Sequence, residues 1–169
     1  MIHIQKANRS HVQGIKKVCS EGNRATYRDI YTKEYIERVI EEFYNEERIL
    51  KEVKSSDRHW GGYYVAVENG EVLGAGGGGM ISETEGELYV LYLDPTRRNE
   101  GIGTLLLEAI TRQQKEEFHA SKQWVSVQEG NQKGIPFYEA RGFVYENAQL
   151  AYGNEGEEDY RSLRYSRFI

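Results

Sequence analysis

Two arginines and two glycines lie within one stretch of seven residues, from Arg97 to Gly103 in the sequence DPTRRNEGIG. Arginine supplies a permanent positive charge with several hydrogen-bond donors, and glycine exposes its backbone N–H and lets another molecule approach closely. An apolar run precedes the stretch and a segment with helical spacing follows it, so the free N–H groups and dipole of a helix N-terminus add to the attraction for anions. The stretch therefore predicts an anion site of the kind that holds phosphate.

Two common phosphate motifs do not fit this stretch. A P-loop requires Gly-Lys-Ser/Thr, but Thr104 follows Gly103 directly. A dinucleotide-binding fingerprint requires a third small residue, where this chain has Leu106, and a glycine close behind the strand, whereas the apolar run ends eight positions before Gly101. The pattern that remains is R-x-x-G-x-G.

The composition is that of an ordinary globular chain. With 169 residues, of which 38% are hydrophobic and 29% charged, the sequence predicts one well-buried domain over residues 1–169. A formal net charge of −5 argues against nucleic acid as the main partner, because phosphate backbones are bound by surplus lysine and arginine. No stretch has the length and apolar character of a signal peptide or a membrane span, which predicts a cytoplasmic protein that does not enter a membrane.

Metal and disulfide chemistry are not expected. The four histidines, His3, His11, His59 and His119, are too scattered in the sequence to suggest a metal site. The lone Cys19 cannot form an internal disulfide. We therefore expect no metal cofactor and interpret Cys19 as an inert core residue.

The first half of the chain predicts a strand, helices and a hairpin. A short strand, IHIQK, precedes a helix that we expect to begin at about Ser10, whose side chain would cap it, and to end near Gly22. One or two amphipathic helices follow, with a break at Asn45. An Asn-Gly turn at residues 69–70 then joins two strands as a hairpin. The second of these strands contains the glycine run Gly74–Gly79, which predicts a bulge or a close backbone approach.

The second half places the arginine-glycine stretch between a strand and a helix. The segment ELYVLYL, Glu87–Leu93, is apolar on both faces after its first residue, as expected of a strand buried in the middle of a sheet. Apolar residues at helical spacing continue from Gly101 to about His119. A strand QWVSVQ, a short helix that Gly142 would end, a strand FVYENA and a C-terminal strand complete the chain.

A second motif lies about thirty residues after the first. The segment NQKGIPFYEARGF contains Asn131 and, seven residues on, Tyr138, before a helix end at GF. Together with R-x-x-G-x-G, and in the same order, it resembles the signatures of the GNAT family of N-acetyltransferases, over at least Tyr63–Val144. The resemblance implies an α/β (α+β) fold, with a single mixed, mostly antiparallel, twisted sheet of six or seven strands flanked by about four helices.

The resemblance also implies acetyl-CoA as the acetyl donor. Backbone N–H groups of the loop and helix start would hold its diphosphate, beside the charge of Arg98. The backbone of Leu91–Leu93 would pair with the pantetheine arm and acetyl group, and Asn131 would also contact the cofactor. The cofactor-binding residues implied in this way are Leu91, Tyr92, Leu93, Arg98, Asn99, Gly101, Ile102, Gly103, Thr104 and Asn131.

Amide formation needs a neutral amine, donors for the tetrahedral intermediate and a proton for the leaving thiolate. The resemblance places the general base of the histone-acetylating members at Glu87, whereas other members use different groups or water chains. It places the general acid at Tyr138, and the N–H of Tyr92 or Leu93 would stabilise the oxyanion. The residue types leave alternatives open: Glu87 as a polar strand end in solvent, and Tyr138 as a half-buried core aromatic. The glycines of the loop would also suit close helix packing.

The resemblance does not determine the acceptor. Tyr27, Asp29 and Tyr31, in the segment NRATYRDIY, lie in the region of the family that varies most, and here the chain resembles the bacterial polyamine acetyltransferases. Together with the acidic composition, this predicts a small cationic amine, such as a polyamine, bound by these three residues. A protein or peptide acceptor and a non-catalytic acyl-CoA-binding regulator remain alternatives, and a homodimer remains open.

Overall fold

The computed structural model describes residues 1–169 as a seven-stranded sheet with helices packed against it. The strands are β1 (His3–Lys6), β2 (Tyr64–Glu68), β3 (Glu71–Met80), β4 (Glu85–Leu93), β5 (Lys122–Gln128), β6 (Val144–Leu150) and β7 (Arg161–Phe168). The α-helices are α1 (Val12–Tyr27), α2 (Lys33–Phe43), α3 (Glu46–Lys54), α4 (Ile102–Arg112) and α5 (Gly134–Glu139). A 3₁₀ turn, Arg9–His11, precedes α1, and a π-helical turn, Gln113–Glu117, extends α4.

The strand order is β1-β2-β3-β4-β5-β7-β6, and every neighbouring pair is antiparallel except β4 with β5. This confirms the predicted mixed, mostly antiparallel sheet, with seven strands and with five α-helices rather than about four. The predicted break at Asn45 is also confirmed and accounts for one of these helices. Its Oδ1 accepts from the N–H of Arg48 at 2.9 Å and so caps α3.

The glycine run of β3 lies opposite a bulge in β4. Gly77 pairs with Val90 and Gly78 pairs with Leu88, so Tyr89 is an additional residue without a partner on β3. A bulge bends and twists the strand that carries it. The pairing of β4 with β5 ends at this same point, at Leu88.

Two glycines of the run are required by close contacts. A Cβ on Gly79 would lie 1.9 Å from the carbonyl oxygen of His59, and a Cβ on Gly78 would lie 2.2 Å from that of Glu87. The Glu87 carbonyl accepts a hydrogen bond from Gln114 Nε2 at 3.0 Å, so Gly78 leaves space for this bond. The close backbone approach predicted for the glycine run is confirmed, whereas the bulge lies opposite the run, in β4.

Helices α1 and α4 pack on opposite faces of the sheet. Ala75 of β3 belongs to the apolar cluster that contains Ile15 of α1. A Cβ on its neighbour Gly74 would lie 3.1 Å from Ile102 of α4. Successive residues of a strand point to opposite faces, which separates the two helices. Helix α5 lies on the α4 side, because Tyr138 shares a second apolar cluster with α4 and β5.

Two expectations about α1 are wrong. Asn8, not Ser10, caps the turn that leads into the helix, because the Oδ1 of Asn8 accepts from the N–H of Ser10 at 2.9 Å. The helix also continues past Gly22 to Tyr27. Gly22 is a packing position rather than a helix end, since a Cβ there would come within 3.0 Å of the ring of Tyr92.

Strand β4 begins at Glu85, two residues earlier than expected, and its second half is less buried than a central strand. Tyr89 is 45% exposed, because β5 does not cover this part of β4.

Elsewhere the local predictions are confirmed. The turn at residues 69–70 has positive φ at both positions and joins β2 to β3, and Gly142 follows α5 with a φ of 90°. None of the helices combines the length and apolar character that crossing a membrane requires.

Candidate active site

A cleft opens between β4 and β5 where the two strands part. Their parallel pairing covers only residues 85–88 against residues 122–125. Beyond it, both strands border a cavity with an empty volume of about 1000 Å³, part of it open to solvent. Residues from α1, from the loop before α4 and from α5 complete its walls. The cleft therefore brings together segments that are far apart in the sequence.

The second half of β4 presents an unpaired backbone edge to the cleft. Leu91, Tyr92 and Leu93 pair with β3 on one side, have no strand partner on the other and all line the cleft. Backbone N–H and C=O groups that are shielded from water need hydrogen-bond partners. This edge can therefore hold an extended ligand through main-chain bonds, and the three residues predicted for that role lie along it.

The arginine-glycine loop lies at the start of α4. Gly101 caps the helix in the left-handed conformation, with a φ of 78°, and Asn99 has a φ of 63°. The N–H groups of the first turn, at Ile102, Gly103 and Thr104, have no carbonyl partner within the helix. The side chain of Ile102 is buried in the core, so only its backbone is available to a ligand. The loop thus offers several N–H donors at the positive end of the helix dipole.

The two arginines of this loop have different partners. Arg97 donates through Nη2 to Glu68 at 2.9 Å and through Nε to Glu100 at 2.7 Å, so its charge is compensated. Arg98 forms no ion pair and lines the cleft. The uncompensated positive charge that borders the cleft on this loop is therefore that of Arg98.

Tyr138, on α5, borders the same cleft. Its ring packs edge-on against Phe137 and Phe143, with centroids 5.1 and 5.4 Å away, and the residue is 9% exposed. Burial, followed by the neighbouring Tyr27, raises the pKa of Tyr138 above its ordinary value of 10.0, and the smaller effect of the Arg141 charge lowers it. The hydroxyl therefore stays protonated at neutral pH and can donate a proton or a hydrogen bond.

Asn131 organises the entry into α5 and also lines the cleft. Its Oδ1 accepts from the N–H of Gly134 at 2.8 Å, and its carbonyl accepts from the N–H of Ile135 at 3.1 Å. Both oxygen atoms are thus used by the helix. The side-chain NH₂ group remains as a donor for a ligand.

Glu87 lies beside the cleft and is not part of its lining. Arg164 Nη1 donates to Glu87 Oε2 and to Ser126 Oγ, both at 2.8 Å. The two side chains of this ion pair are each 14% exposed, so Glu87 is not a solvent-facing strand end. The next residues along β4, Leu88 and Tyr89, do line the cleft. Glu87 therefore sits at the edge of the cavity, with one carboxylate oxygen engaged by arginine.

Helix α1 forms another wall of the cleft, with Gly22, Thr26 and Tyr27. The hydroxyl of Tyr27 lies 3.3 Å from that of Tyr92 on β4. Of the three residues predicted to bind the acceptor, only Tyr27 borders the cleft. Gly22 and Thr26 were not predicted from the sequence, although their i, i+4 spacing places them on one face of a helix.

Asp29 and Tyr31 lie outside the cleft lining. Tyr31 stacks with Tyr35 and Tyr160, at centroid distances of 4.4 and 4.5 Å, and its hydroxyl donates to Gln128 Oε1 at 2.5 Å. These contacts connect the segment after α1 to β5 and to the segment before β7. Asp29 is exposed in the turn that follows α1.

The carboxylates expected to attract a cation do not converge on the cleft. The lining contains a single carboxylate, that of Asp94, whose pKa is lowered by hydrogen bonds from the N–H and hydroxyl of Thr96. Glu85 instead accepts from Trp124 Nε1 at 2.8 Å. No three His, Cys, Asp or Glu side chains form a group that would hold a metal ion. The wall from α1 carries no charged side chain and offers the hydroxyl of Thr26 and the aromatic ring of Tyr27.

The chain is similar in sequence to known acetyltransferases. Residues 24–143 match the sequence profile of the Acetyltransferase (GNAT) family. A spermidine N(1)-acetyltransferase from Thermoplasma acidophilum is 31% identical over 147 residues, which are 86% of this chain and 90% of that protein.

Two crystal structures extend the likeness to the whole chain. PaiA N-acetyltransferase from Thermoplasma acidophilum, in complex with coenzyme A, is 26% identical, with a TM-score of 0.80 over 100% of this chain and 99% of that one. Ard1 from Thermoplasma volcanium is 20% identical, with a TM-score of 0.74 over 99% and 97% of the two chains, a likeness of fold alone. The profile match, the curated relative and the cleft agree, and the chain belongs to the GNAT family of acetyltransferases.

Proposed function

We propose that this protein transfers the acetyl group of acetyl-CoA directly to a primary amine, and that the amine is a small cation such as a polyamine. One observation carries the proposal: the loop at the start of α4, the unpaired edge of β4 and Tyr138 border one cleft. They provide an anion site, a main-chain binding edge and a proton donor. A diphosphate, a pantetheine arm and a leaving thiolate require these three features.

Acetyl-CoA supplies an acetyl thioester when bound, and the residues of the chain bind it, orient it and move protons. The N–H groups of residues 101–104 and the charge of Arg98 hold the diphosphate. Leu91–Leu93 hold the extended arm, and the N–H of Tyr92 or Leu93 stabilises the negative charge on the carbonyl oxygen. After the amine nitrogen has bonded to the carbonyl carbon, Tyr138 gives its proton to the sulfur as the carbon–sulfur bond breaks.

Cys19 does not carry the acetyl group in this scheme. The residue is buried, and burial raises the pKa of its thiol, so little thiolate forms. An acetyl-enzyme on this residue would also require the donor to reach the core between α1 and the sheet. Transfer is therefore direct from donor to amine.

Arg98→Glu should weaken acetyl-CoA binding about tenfold to a hundredfold, because one charge-assisted contact contributes about 1.5–3 kcal/mol. Titration calorimetry measures the change. Arg112→Glu is the matched control, since it makes the same charge change at the exposed C-terminal end of α4 and should leave the affinity as it is. Unchanged affinity in both Arg98→Glu and Gly101→Trp would show that the loop does not hold the diphosphate.

Tyr138→Phe removes the hydroxyl but keeps the ring in its aromatic contacts. The variant should lower kcat about 10²-fold and leave acetyl-CoA affinity nearly unchanged, because the hydroxyl acts on the leaving group. Since the pKa of Tyr138 is raised, any alkaline loss of activity caused by its ionisation should begin above pH 10. Tyr145→Phe, on the exposed strand β6, is the control. Full turnover in Tyr138→Phe would reduce this tyrosine to a core aromatic.

Glu87 is our proposal for the general base, acting through a water molecule. The carboxylate in the cleft lining, Asp94, is a poor base because hydrogen bonds from Thr96 lower its pKa. Glu87 Oε2 accepts from Arg164, whereas its other oxygen accepts no hydrogen bond from the protein. That oxygen, next to cleft residues of β4, can take a proton relayed from the amine.

Glu87→Gln should lower kcat/KM about 10²-fold at pH 7, the usual scale for general base catalysis. The deficit should shrink as the pH approaches about 10.4, the ordinary pKa of an alkylammonium, because more amine then arrives neutral. A pH–rate profile measures both effects. Glu85→Gln, two residues earlier on β4, is the control and should retain activity. A deficit that does not change with pH would mean that Glu87 only supports the structure.

Two observations support a polyamine acceptor. The relative that is 31% identical over most of the chain is a spermidine N(1)-acetyltransferase. The cleft is bordered by the aromatic rings of Tyr27, Tyr89 and Tyr138, which can attract an alkylammonium through cation–π contacts. Apart from Asp94, the carboxylates of the chain lie outside the cleft lining, so they act on an approaching cation through the net charge of −5.

Thiol release from acetyl-CoA should be fastest with spermidine in a set that also contains a lysine peptide, an aminoglycoside and an acidic amino acid. The rate with spermidine should fall as salt rises, because salt screens long-range attraction. Highest activity on the lysine peptide would support a protein acceptor instead. Acetyl-CoA binding without thiol release on any amine would support the non-catalytic regulator, and a preference for the acidic amino acid would overturn a cationic acceptor.

A further inference from the structure

Arg141 joins the two sides of the cleft on which the proposed chemistry depends. It follows α5 in the sequence, and its side chain contacts both α5 and α4. Nη1 donates to the carbonyl oxygen of Phe137 at 2.7 Å, and Nε donates to Thr104 Oγ1 at 3.2 Å. Nη2 donates to Thr104 Oγ1 at 2.5 Å. The guanidinium also stacks on the ring of Phe137, 3.8 Å from its centroid.

Both ends of this bridge are next to the site. Thr104 lies in the first turn of α4, and Phe137 immediately precedes Tyr138. A threonine in a helix often donates to the carbonyl four residues earlier, as Thr111 does at 2.7 Å. For Thr104, the residue four positions earlier is Glu100, which precedes the helix. The hydroxyl oxygen of Thr104 accepts two bonds from Arg141, which occupy its lone pairs and leave its hydrogen free to donate to an anion.

A second arginine holds Arg141 in place. Arg167 of β7 donates through Nη1 to the carbonyl of Arg141 at 2.8 Å, through Nε to Gln123 Oε1 at 3.0 Å and through Nη2 to Thr111 Oγ1 at 3.1 Å. Gln123 Nε2 donates in turn to Gln114 Oε1 at 3.1 Å. Gln123 and Gln114 are fully buried. The chain of bonds therefore connects α5 to α4, β7, β5 and the extension of α4.

This arrangement carries an electrostatic cost, which a role at the site would explain. Neither arginine is paired with a carboxylate, although the chain has 27 Asp and Glu residues, and the two positive groups are close enough that Arg141, after burial, lowers the pKa of Arg167. Like charges held by neutral groups destabilise the fold. Departures from local stability of this kind are expected at functional positions.

We propose that Arg141 is a positioning residue for acetyl transfer, joining the first turn of α4 to the carbonyl that precedes Tyr138 and so setting the distance between the diphosphate loop and the proton-donating hydroxyl. The proposal rests on the function proposed above. The diphosphate is held at α4 and the leaving sulfur must meet a hydroxyl on α5. A displacement of about 1 Å between the two helices can lower the rate by about 10²-fold.

Two substitutions separate the effect of the planar fork of guanidinium donors of Arg141 from the effect of its charge. Arg141→Met keeps an apolar stem over Phe137 and removes every donor, whereas Arg141→Lys keeps the charge and loses the planar fork. Both variants should lower kcat about 10- to 100-fold, with a much smaller change in the KM for acetyl-CoA. Arg112→Met, exposed at the end of α4, is the control and should keep its kcat. Full activity in Arg141→Lys would overturn the role of the fork.

A double-mutant cycle with Tyr138→Phe distinguishes positioning from general support of the fold. Once the hydroxyl is absent, Arg141→Met should lower kcat by less than about twofold, since the group that it positions is gone. Thr104→Val removes the acceptor at the other end of the bridge, should show the same masking and serves if Arg141→Met does not fold. Equal losses with and without the Tyr138 hydroxyl would overturn the proposal.

The same cycle separates failure of this inference from failure of the proposed function. A low kcat in Tyr138→Phe together with full kcat in Arg141→Met and Thr104→Val would overturn the positioning role and leave Tyr138 as the general acid. Full kcat in Tyr138→Phe would overturn the general-acid function, and the positioning role with it.

Discussion

The site depends on a backbone edge that has no strand to pair with. A buried amide without a hydrogen bond costs about 2–7 kcal/mol, so such an edge is ordinarily covered by its neighbour. Strand β5 separates from β4 at a bulge. Tyr89 is an extra residue that bends β4 directly after Leu88, the last residue of β4 that pairs with β5. At the same bulge Gln114 binds the Glu87 carbonyl at 3.0 Å, and the missing Cβ of Gly78 makes room for that bond. The hydrogen-bonding groups of this edge are therefore free for an extended ligand that carries its own amides.

The remaining groups of the cleft are arranged around this edge according to their charge. The loop before α4 offers backbone N–H groups and the free cation Arg98, which suit the anionic part of a donor. Tyr138, the proposed proton donor, is buried, and burial favours the neutral form of a hydroxyl. A carboxylate in the same surroundings would be costly to ionise. The carboxylate of Glu87 accordingly lies outside the lining and is compensated by Arg164.

Some acidic residues of this protein hold its elements together. Glu158 pairs with Arg38, and Glu37 pairs with Arg24, so α2 is tied to the segment before β7 and to α1. These ion pairs engage carboxylates that would otherwise be available to bind a cation. The α1 side of the cleft has hydroxyl and aromatic groups such as Tyr27, and an aromatic ring can contact a cation without an ion pair.

The sequence by itself determined the features that depend only on residues a few positions apart in the chain. The turn at residues 69–70 needs only residues that tolerate positive φ. The two motifs were sufficient to indicate the family, the strand–loop–helix unit and Tyr138 as a candidate site residue. Only the tertiary structure decided that Arg97 meets Glu68, 29 positions away, while Arg98 is free, and that Glu87 meets Arg164, 77 positions away. The physical reason is that charge pairing depends on which strands become neighbours. The order β4-β5-β7 follows from packing of the whole sheet, which no local pattern encodes.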